Sequence, residues 1–216
     1  MFIVLESIDG GGKGHQRIEI SDRLGKMGFE VKGVEFPVHN AFYETVIHPA
    51  LQGETKMNQA SWVLSYLLDK TLYTDNITPY LGNGAGNRAG NKKKFFICDG
   101  YFTTTIAYQS LLMKQVPLKK LIQYGEEFEI PVPDLAIYLD VDPKVAISRK
   151  NKEEGHDEGP DMFEKSLKKQ IELQEIFRKM ARGQIYCPWV QVDGNGSVEA
   201  VTELIIGALK DRKIIK

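Results

Sequence analysis

An excess of positive charge is the first thing this chain lacks. Its 28 Lys and Arg against 29 Asp and Glu leave a formal net charge of −1. That excludes the basic footprint of a DNA- or RNA-binding surface, so any anion site has to be local. Cysteine is equally scarce. Cys98 and Cys187 are the only two, which suits a reducing compartment and offers no metal-ligand spacing. No uninterrupted apolar run reaches about eighteen residues, which excludes a membrane-spanning helix. Only Met1 precedes the first apolar run, so no cleaved targeting segment is expected, and a cytoplasmic location follows. Apart from Ala85 and Ala89, apolar residues are missing from Gly82 to Lys94, a Gly-, Asn- and Lys-rich stretch expected to be a mobile surface loop. What remains is ordinary for a globular chain. With 42% hydrophobic and 26% charged residues, 216 residues suffice for one well-buried domain spanning 1–216.

Short apolar runs alternate with amphipathic stretches throughout. Strands are expected at residues 2–7, 30–36, 95–98, 135–141 and 189–192. Helices are expected near 13–27, from about Asn40, at 57–73, 103–114, 118–128, after Pro143, at 161–182 and at 197–211. This alternation predicts an α/β fold of three layers, with a five-stranded parallel sheet covered by helices on both faces. Ligands in such folds sit beyond the carboxyl ends of the strands, where the glycine-rich turn, Pro37, Asp99 and Asp142 fall.

The glycine-rich turn carries the most chemistry. Phe2-Ile-Val-Leu5 reads as a buried strand; it runs through Glu6-Ser-Ile-Asp9 into Gly10-Gly-Gly-Lys13-Gly14, and an amphipathic stretch starts at once. Strand, glycine loop, lysine and helix in that order form the P-loop arrangement. Glycines admit phosphate oxygens to backbone N–H groups, the helix N-terminus adds partial positive charge, and Lys13 reaches the outer phosphates. Two positions depart from the usual pattern: Ser7 replaces a glycine, and Gly14 replaces the Ser or Thr after the lysine.

Five blocks together resemble the thymidylate kinase family of P-loop nucleoside monophosphate kinases. They are Phe2 to Lys13, Phe36-Pro37, Tyr66-Leu-Leu-Asp-Lys70, Asp99-Gly-Tyr-Phe-Thr-Thr-Thr-Ile-Ala-Tyr-Gln109 and Pro133-Asp-Leu-Ala-Ile-Tyr-Leu-Asp-Val-Asp-Pro143. The resemblance implies ATP-dependent, Mg²⁺-assisted, in-line phosphorylation of dTMP to dTDP, a lid near 150–160, and a homodimer. No nucleic acid or membrane partner is expected. The implied donor site is Asp9, Gly10, Gly11, Gly12, Lys13, Gly14 and His15. The implied acceptor site is Asp9, Phe36, Pro37, His39, Tyr66, Lys70, Tyr101, Thr104 and Gln109. Within it Asp9 faces the sugar 3′-hydroxyl, Tyr66 stacks on the base, Thr104 and Gln109 hydrogen-bond it, and Tyr101 packs beside the sugar. Asp99 organises Mg²⁺ through water. The catalytic set implied is Lys13, Asp9, Asp99 and Arg149.

Against the family pattern several arginines are missing together. His39 stands where an arginine clamps the acceptor phosphate, Gly100 where the family has Asp-Arg-Tyr, and Lys70 where an arginine contacts base or phosphate. Neither the glycine loop nor the lid contains an arginine, which leaves Arg149 as the candidate for transition-state charge. Lys70, His39, Arg149 and Arg88 are the available substitutes, and a phosphate contact from His15 or His39 would weaken as pH rises through the histidine range. Two other readings stay open: a kinase for another pyrimidine or modified deoxynucleoside monophosphate, and a nucleotide-binding protein with little or no catalysis.

Overall fold

The computed structural model describes residues 1–82, 94–152 and 167–216. Most of the Gly/Asn-rich stretch, including Arg88, and all but the start of the expected 150–160 lid lie outside the described residues.

Five parallel strands make the sheet: β1 (Phe2–Glu6), β2 (Glu30–Glu35), β3 (Lys94–Asp99), β4 (Leu135–Asp140) and β5 (Trp189–Asp193). Their order is β2-β3-β1-β4-β5. Register pairs Leu5 with Asp99, and Glu6 with Tyr138. The three central strands are buried almost end to end, because a parallel sheet is covered on both faces and selects continuous apolar runs. At the edge, β2 is half exposed and correspondingly polar.

Each strand end projects its loop toward one rim of the sheet. From β1 the chain enters the glycine loop and then α1 (Lys13–Lys26). After β2, Asn40 accepts a hydrogen bond from the Tyr43 N–H at 3.0 Å and starts a π-helical turn, Tyr43–Ile47, followed by α2 (His48–Leu51). Asn58 caps α3 (Gln59–Thr71) by accepting from the Ser61 N–H. A short α4 (Thr74–Ile77) follows, which the sequence pattern does not signal. After β3, one turn of α-helix, α5 (Phe102–Thr105), widens into a π-helix, Ile106–Leu112, where a plain helix is expected. α6 (Leu118–Glu127) leads to β4. α7 (Pro143–Lys152) and α8 (Leu167–Gly183) lie between β4 and β5, and α9 (Val198–Asp211), capped by Ser197, closes the chain.

Of the four strand-end features singled out in the sequence, Asp142 has a local role. Its Oδ1 accepts from the Lys144 N–H at 2.7 Å, the geometry of a helix cap for α7. The glycine loop, Pro37 and Asp99 gather instead around one pair of clefts.

Candidate functional site

The glycine loop is shaped by what its side chains would strike. Gly10 has φ +74°, and a Cβ there would run into the backbone carbonyl of Ala146 on α7, so only glycine fits. Beneath the loop, the Ser7 hydroxyl donates to the Leu139 carbonyl at 2.7 Å and ties β1 to β4. The serine in the usual glycine position is thus absorbed as a strand tie. Lys13 opens α1, and its Nζ rests on the carbonyls of Ser7 and Ile8 at 3.2 and 3.4 Å. The first-turn amides of α1 have no carbonyl one turn before them within the helix, which leaves them oriented toward an anion.

One cleft, of about 320 Å³, lies on the α9 side of this loop. Gly10, Gly11, Gly12 and His15 border it, facing Gly194 and Gly196–Val198 past the end of β5. Arg149 spans the two sides. Its guanidinium donates to the carbonyls of Gly194, Asn195 and Gly196 at 2.9, 3.1 and 2.7 Å. Buried Gln16 fastens the same wall, donating to the Val198 carbonyl and accepting from Thr202, each at 2.9 Å. Neither Gln16 nor the loop after β5 stands out as a site in the sequence. The position of that loop beyond a parallel strand's carboxyl end is the one signal that points to it.

A second cleft, of about 370 Å³, opens on the other side of Lys13. All nine acceptor-side residues expected from the sequence border it: Asp9, Phe36, Pro37, His39, Tyr66, Lys70, Tyr101, Thr104 and Gln109. Its floor is aromatic. Tyr66 is half-buried and stacked on Trp62, with ring centroids 5.7 Å apart, and the His39 ring lies 4.2 Å from that of Tyr43 with only 7° between planes. Tyr101 is 1% exposed, its ring packed edge-on against Phe2 and Phe36, so little of it faces the cleft.

The cations of this cleft are already engaged. Lys70 is 2% exposed, pairs with Asp69 at 2.9 Å, and lies 5.4 and 5.2 Å from the ring centroids of Phe36 and Tyr66. Asp69, fully buried, also accepts from the Val38 N–H at 2.9 Å and so fixes the segment after Pro37. Asp99 accepts from Arg17 Nε at 3.1 Å. Gly100 has φ +63°, and a Cβ there would sit 3.2 Å from the Phe36 carbonyl and 3.3 Å from Thr104 Oγ1. The local backbone explains why this position carries glycine.

Two residues gain importance from the structure alone. Tyr108 donates its hydroxyl to Asp9 Oδ2 at 3.1 Å. It lies one helical turn past Thr104 in the quoted Ala-Tyr-Gln block, a spacing that could have revealed it. Glu6 is completely buried at the end of β1. Thr103 donates to its Oε1 at 2.5 Å, and Thr104 lies 2.9 and 2.8 Å from its two oxygens. Burial pushes the Glu6 carboxyl from 4.5 up to about 7, against the lowering pull of the Thr103 bond, Lys13 and Thr104.

Asp9 and Asp99 are hard oxygen donors near the loop, and Asp99 Oδ2 lies 3.6 Å from where a Cβ on Gly14 would stand. A carboxylate therefore reaches the place a residue-14 hydroxyl would otherwise occupy. Among the described residues, no three His, Cys, Asp or Glu side chains are grouped to cage a metal ion. That donor set suits Mg²⁺, which takes one or two carboxylates and completes its shell with water and phosphate. No helix of the described residues is long and apolar enough to cross a membrane.

Comparison with known proteins adds an independent line. The family model for thymidylate kinase matches residues 5–205. A probable thymidylate kinase of Staphylothermus marinus is 31% identical over 152 residues, covering 69% of this chain and 67% of that protein. The thymidylate kinase of Leptospira interrogans is 27% identical over 206 residues, 94% of this chain and 90% of its own length. A probable thymidylate kinase of Pyrococcus abyssi is 28% identical over 214 residues, covering 97% and 95%.

Proposed function

The chain belongs to the thymidylate kinase family, and on that premise we propose that it transfers the γ-phosphoryl group of ATP to dTMP. Membership makes it a phosphotransferase; the donor, the acceptor and the residue roles are our reading. One observation carries that reading. A glycine loop with its lysine separates two clefts, one walled by a loop past β5 and the other floored with aromatic rings.

ATP occupies the first cleft, its phosphates on the glycine-loop amides and its base against the wall held by Arg149. The three carbonyls that hold Arg149 keep it on the donor side, beside Gly12. dTMP occupies the second cleft, its base against Tyr66 with Gln109 at its polar edge and its sugar beside Asp9 and Tyr108. The Tyr108 hydroxyl, hydrogen-bonded to Asp9, takes the sugar-facing role that the sequence assigns to Tyr101. Lys70 and His39 serve the acceptor phosphate.

An oxygen of that phosphate attacks the γ-phosphorus in line, ADP leaves, and no covalent enzyme intermediate forms. Lys13 swings from the Ser7 and Ile8 carbonyls to the transferring group. Positioning and charge neutralisation supply the catalysis. Mg²⁺, when bound, neutralises charge on the donor phosphates; Asp99 would hold it through water, with Arg17 fixing the carboxylate.

The chain acts as a homodimer in this reading. Leu64 and Leu68 of α3 and Leu72 at its C-terminal cap form an exposed stripe at i, i+4 and i+8, 58%, 44% and 53% accessible. The same helix carries Tyr66, Asp69 and Lys70 toward the acceptor, so a second copy seated on the stripe would brace the site.

ADP production with Mg·ATP across a panel of nucleoside monophosphates, with Lys13→Ala as control, tests the proposal. Preferential turnover of dTMP that disappears in the control is the expected result. Preference for another monophosphate would move the acceptor. Nucleotide binding without turnover on any acceptor would refute the kinase reading.

A further inference from the structure

We propose that Glu6 is a positioning residue that sets acceptor specificity through Thr104, by taking the only hydroxyl proton Thr104 has and leaving it to face the cleft solely as a hydrogen-bond acceptor. The inference rests on the kinase reading above and goes beyond it, to how the nucleobase edge is chosen.

The hydroxyl arithmetic is short. A threonine hydroxyl has one proton and two lone pairs. Both Glu6 oxygens lie within hydrogen-bond distance of Thr104 Oγ1, at 2.9 and 2.8 Å, so when Glu6 is ionised the proton goes to the carboxylate. The Tyr101 N–H donates to the same Oγ1 at 3.2 Å and takes one lone pair. One lone pair remains, on a half-buried side chain that borders the acceptor cleft. Thr103 donates to Glu6 Oε1 at 2.5 Å, which further anchors the carboxylate. Glu6 itself is fully buried and borders neither cleft.

A fixed polarity matters because the other polar group is ambidextrous. Gln109 also borders the cleft, and its Oε1 is buried without a hydrogen-bond partner among the described residues. A carboxamide presents an oxygen or an NH₂ according to how it is turned, so Gln109 suits either kind of base edge. Thr104 does not turn. Thymine and uracil carry an imide N–H that an acceptor-only group satisfies, whereas cytosine carries a bare ring nitrogen at that place. Two facing lone pairs leave a buried polar group unmatched, and sites built on such a bond discriminate strongly.

The test uses the full-length enzyme and Glu6→Gln, at pH 8, where a carboxyl titrating near 7 is ionised in the wild type. The new amide donates its NH₂ to Thr104 Oγ1 and releases the hydroxyl proton toward the cleft. The expected result is a fall of about tenfold or more in the kcat/KM ratio of dTMP to dCMP. The ratio of dTMP to dUMP, which share the imide N–H, stays constant. An unchanged dTMP/dCMP ratio overturns the inference, as does an equal loss on all three acceptors, the signature of a purely structural role. If Glu6→Gln does not fold, Thr104→Val carries the same expectation, since it removes the acceptor and keeps the shape; retained discrimination in that variant also overturns it. Failure of the wild type to phosphorylate any of the three would instead refute the kinase reading itself.

Discussion

Glu6 makes stability depend on pH in a direction opposite to that of most carboxylates. Its carboxyl titrates at about 7 in the folded protein against 4.5 for the ordinary side chain, because burial outweighs the hydrogen bonds and the Lys13 charge that favour ionisation. The folded state therefore binds this proton more tightly than the unfolded chain does. The linked stability is fully present below about 4.5, is lost as pH rises through about 7, and changes little beyond. At about 1.4 kcal/mol per pKa unit, the loss amounts to about 3 kcal/mol. Glu6→Gln abolishes this dependence, since an amide does not titrate. Other groups titrate over the same range, so the quantity to follow is the difference between variant and wild type. Urea unfolding at intervals from pH 5 to pH 8.5 should show the variant gaining on the wild type by about 2–3 kcal/mol as pH rises. The offset between the curves at low pH, set by how well the amide replaces the acid beside Thr103 and Thr104, is immaterial to the test. Parallel stability curves would show that the carboxyl titrates normally and that the burial argument fails.

Three further outcomes follow from the proposed acceptor cleft and α3. Asp69→Ala leaves the Lys70 ammonium buried without its carboxylate, so it should lower stability by about 3 kcal/mol and the melting temperature by about 10 °C in a thermal scan; an unchanged melting point would show that Lys70 escapes to solvent. Tyr108→Phe removes the hydroxyl on Asp9 and should lower kcat/KM for the acceptor by about tenfold while KM for ATP holds; steady-state kinetics with each substrate varied would expose an equal effect on both, which would displace Tyr108 from the acceptor sugar. Leu68→Glu places a charge in the middle of the α3 stripe and should shift the protein to monomer in sedimentation velocity at micromolar concentration; a wild type that is already monomeric would remove the stripe from consideration.

The legibility of the sequence was uneven for reasons that trace to single residues. Phe2–Leu5, Phe95–Cys98 and Leu135–Leu139 announce buried strands because continuous apolar runs have no other use in an alternating chain. The helices expected at 57–73 and 197–211 start within two residues of those bounds, where the structure has Asn58 and Ser197 as capping side chains. The widening of 106–112 into a π-helix leaves no trace in the apolar spacing, and α4 is too short to establish a period. The nine residues that the resemblance implies for the acceptor lie in compact blocks beside Pro37, Lys70 and Asp99, and they border one cleft. Glu6 was not readable. A glutamate at a strand end looks like a residue turning toward water, and only contact with Thr103 and Thr104, far along the chain, makes it a buried hub. Arg149 was visible as a cation, but its three carbonyl partners belong to a loop that sequence spacing cannot bring to it.

The missing arginines read differently once the surviving charges are traced. Gly100 adopts φ +63° against the Phe36 carbonyl and Thr104, so the residue that replaces an arginine is built into the turn. Lys70 has the charge but shares it with Asp69, whose second oxygen is committed to the Val38 amide. Arg17 is pinned on Asp99. Among the described residues, Lys70 and Arg17 thus answer first to a carboxylate of the protein. On the proposed reading, long-range attraction contributes less to holding the acceptor than in a cleft lined by arginines, and contact contributes more. Tyr66 with Phe36 and the His39–Tyr43 stack offer flat surfaces to the base and sugar, and Glu6 through Thr104 supplies a bond of fixed polarity. Such a cleft distinguishes acceptors by shape and hydrogen-bond pattern, the two properties that salt screens least.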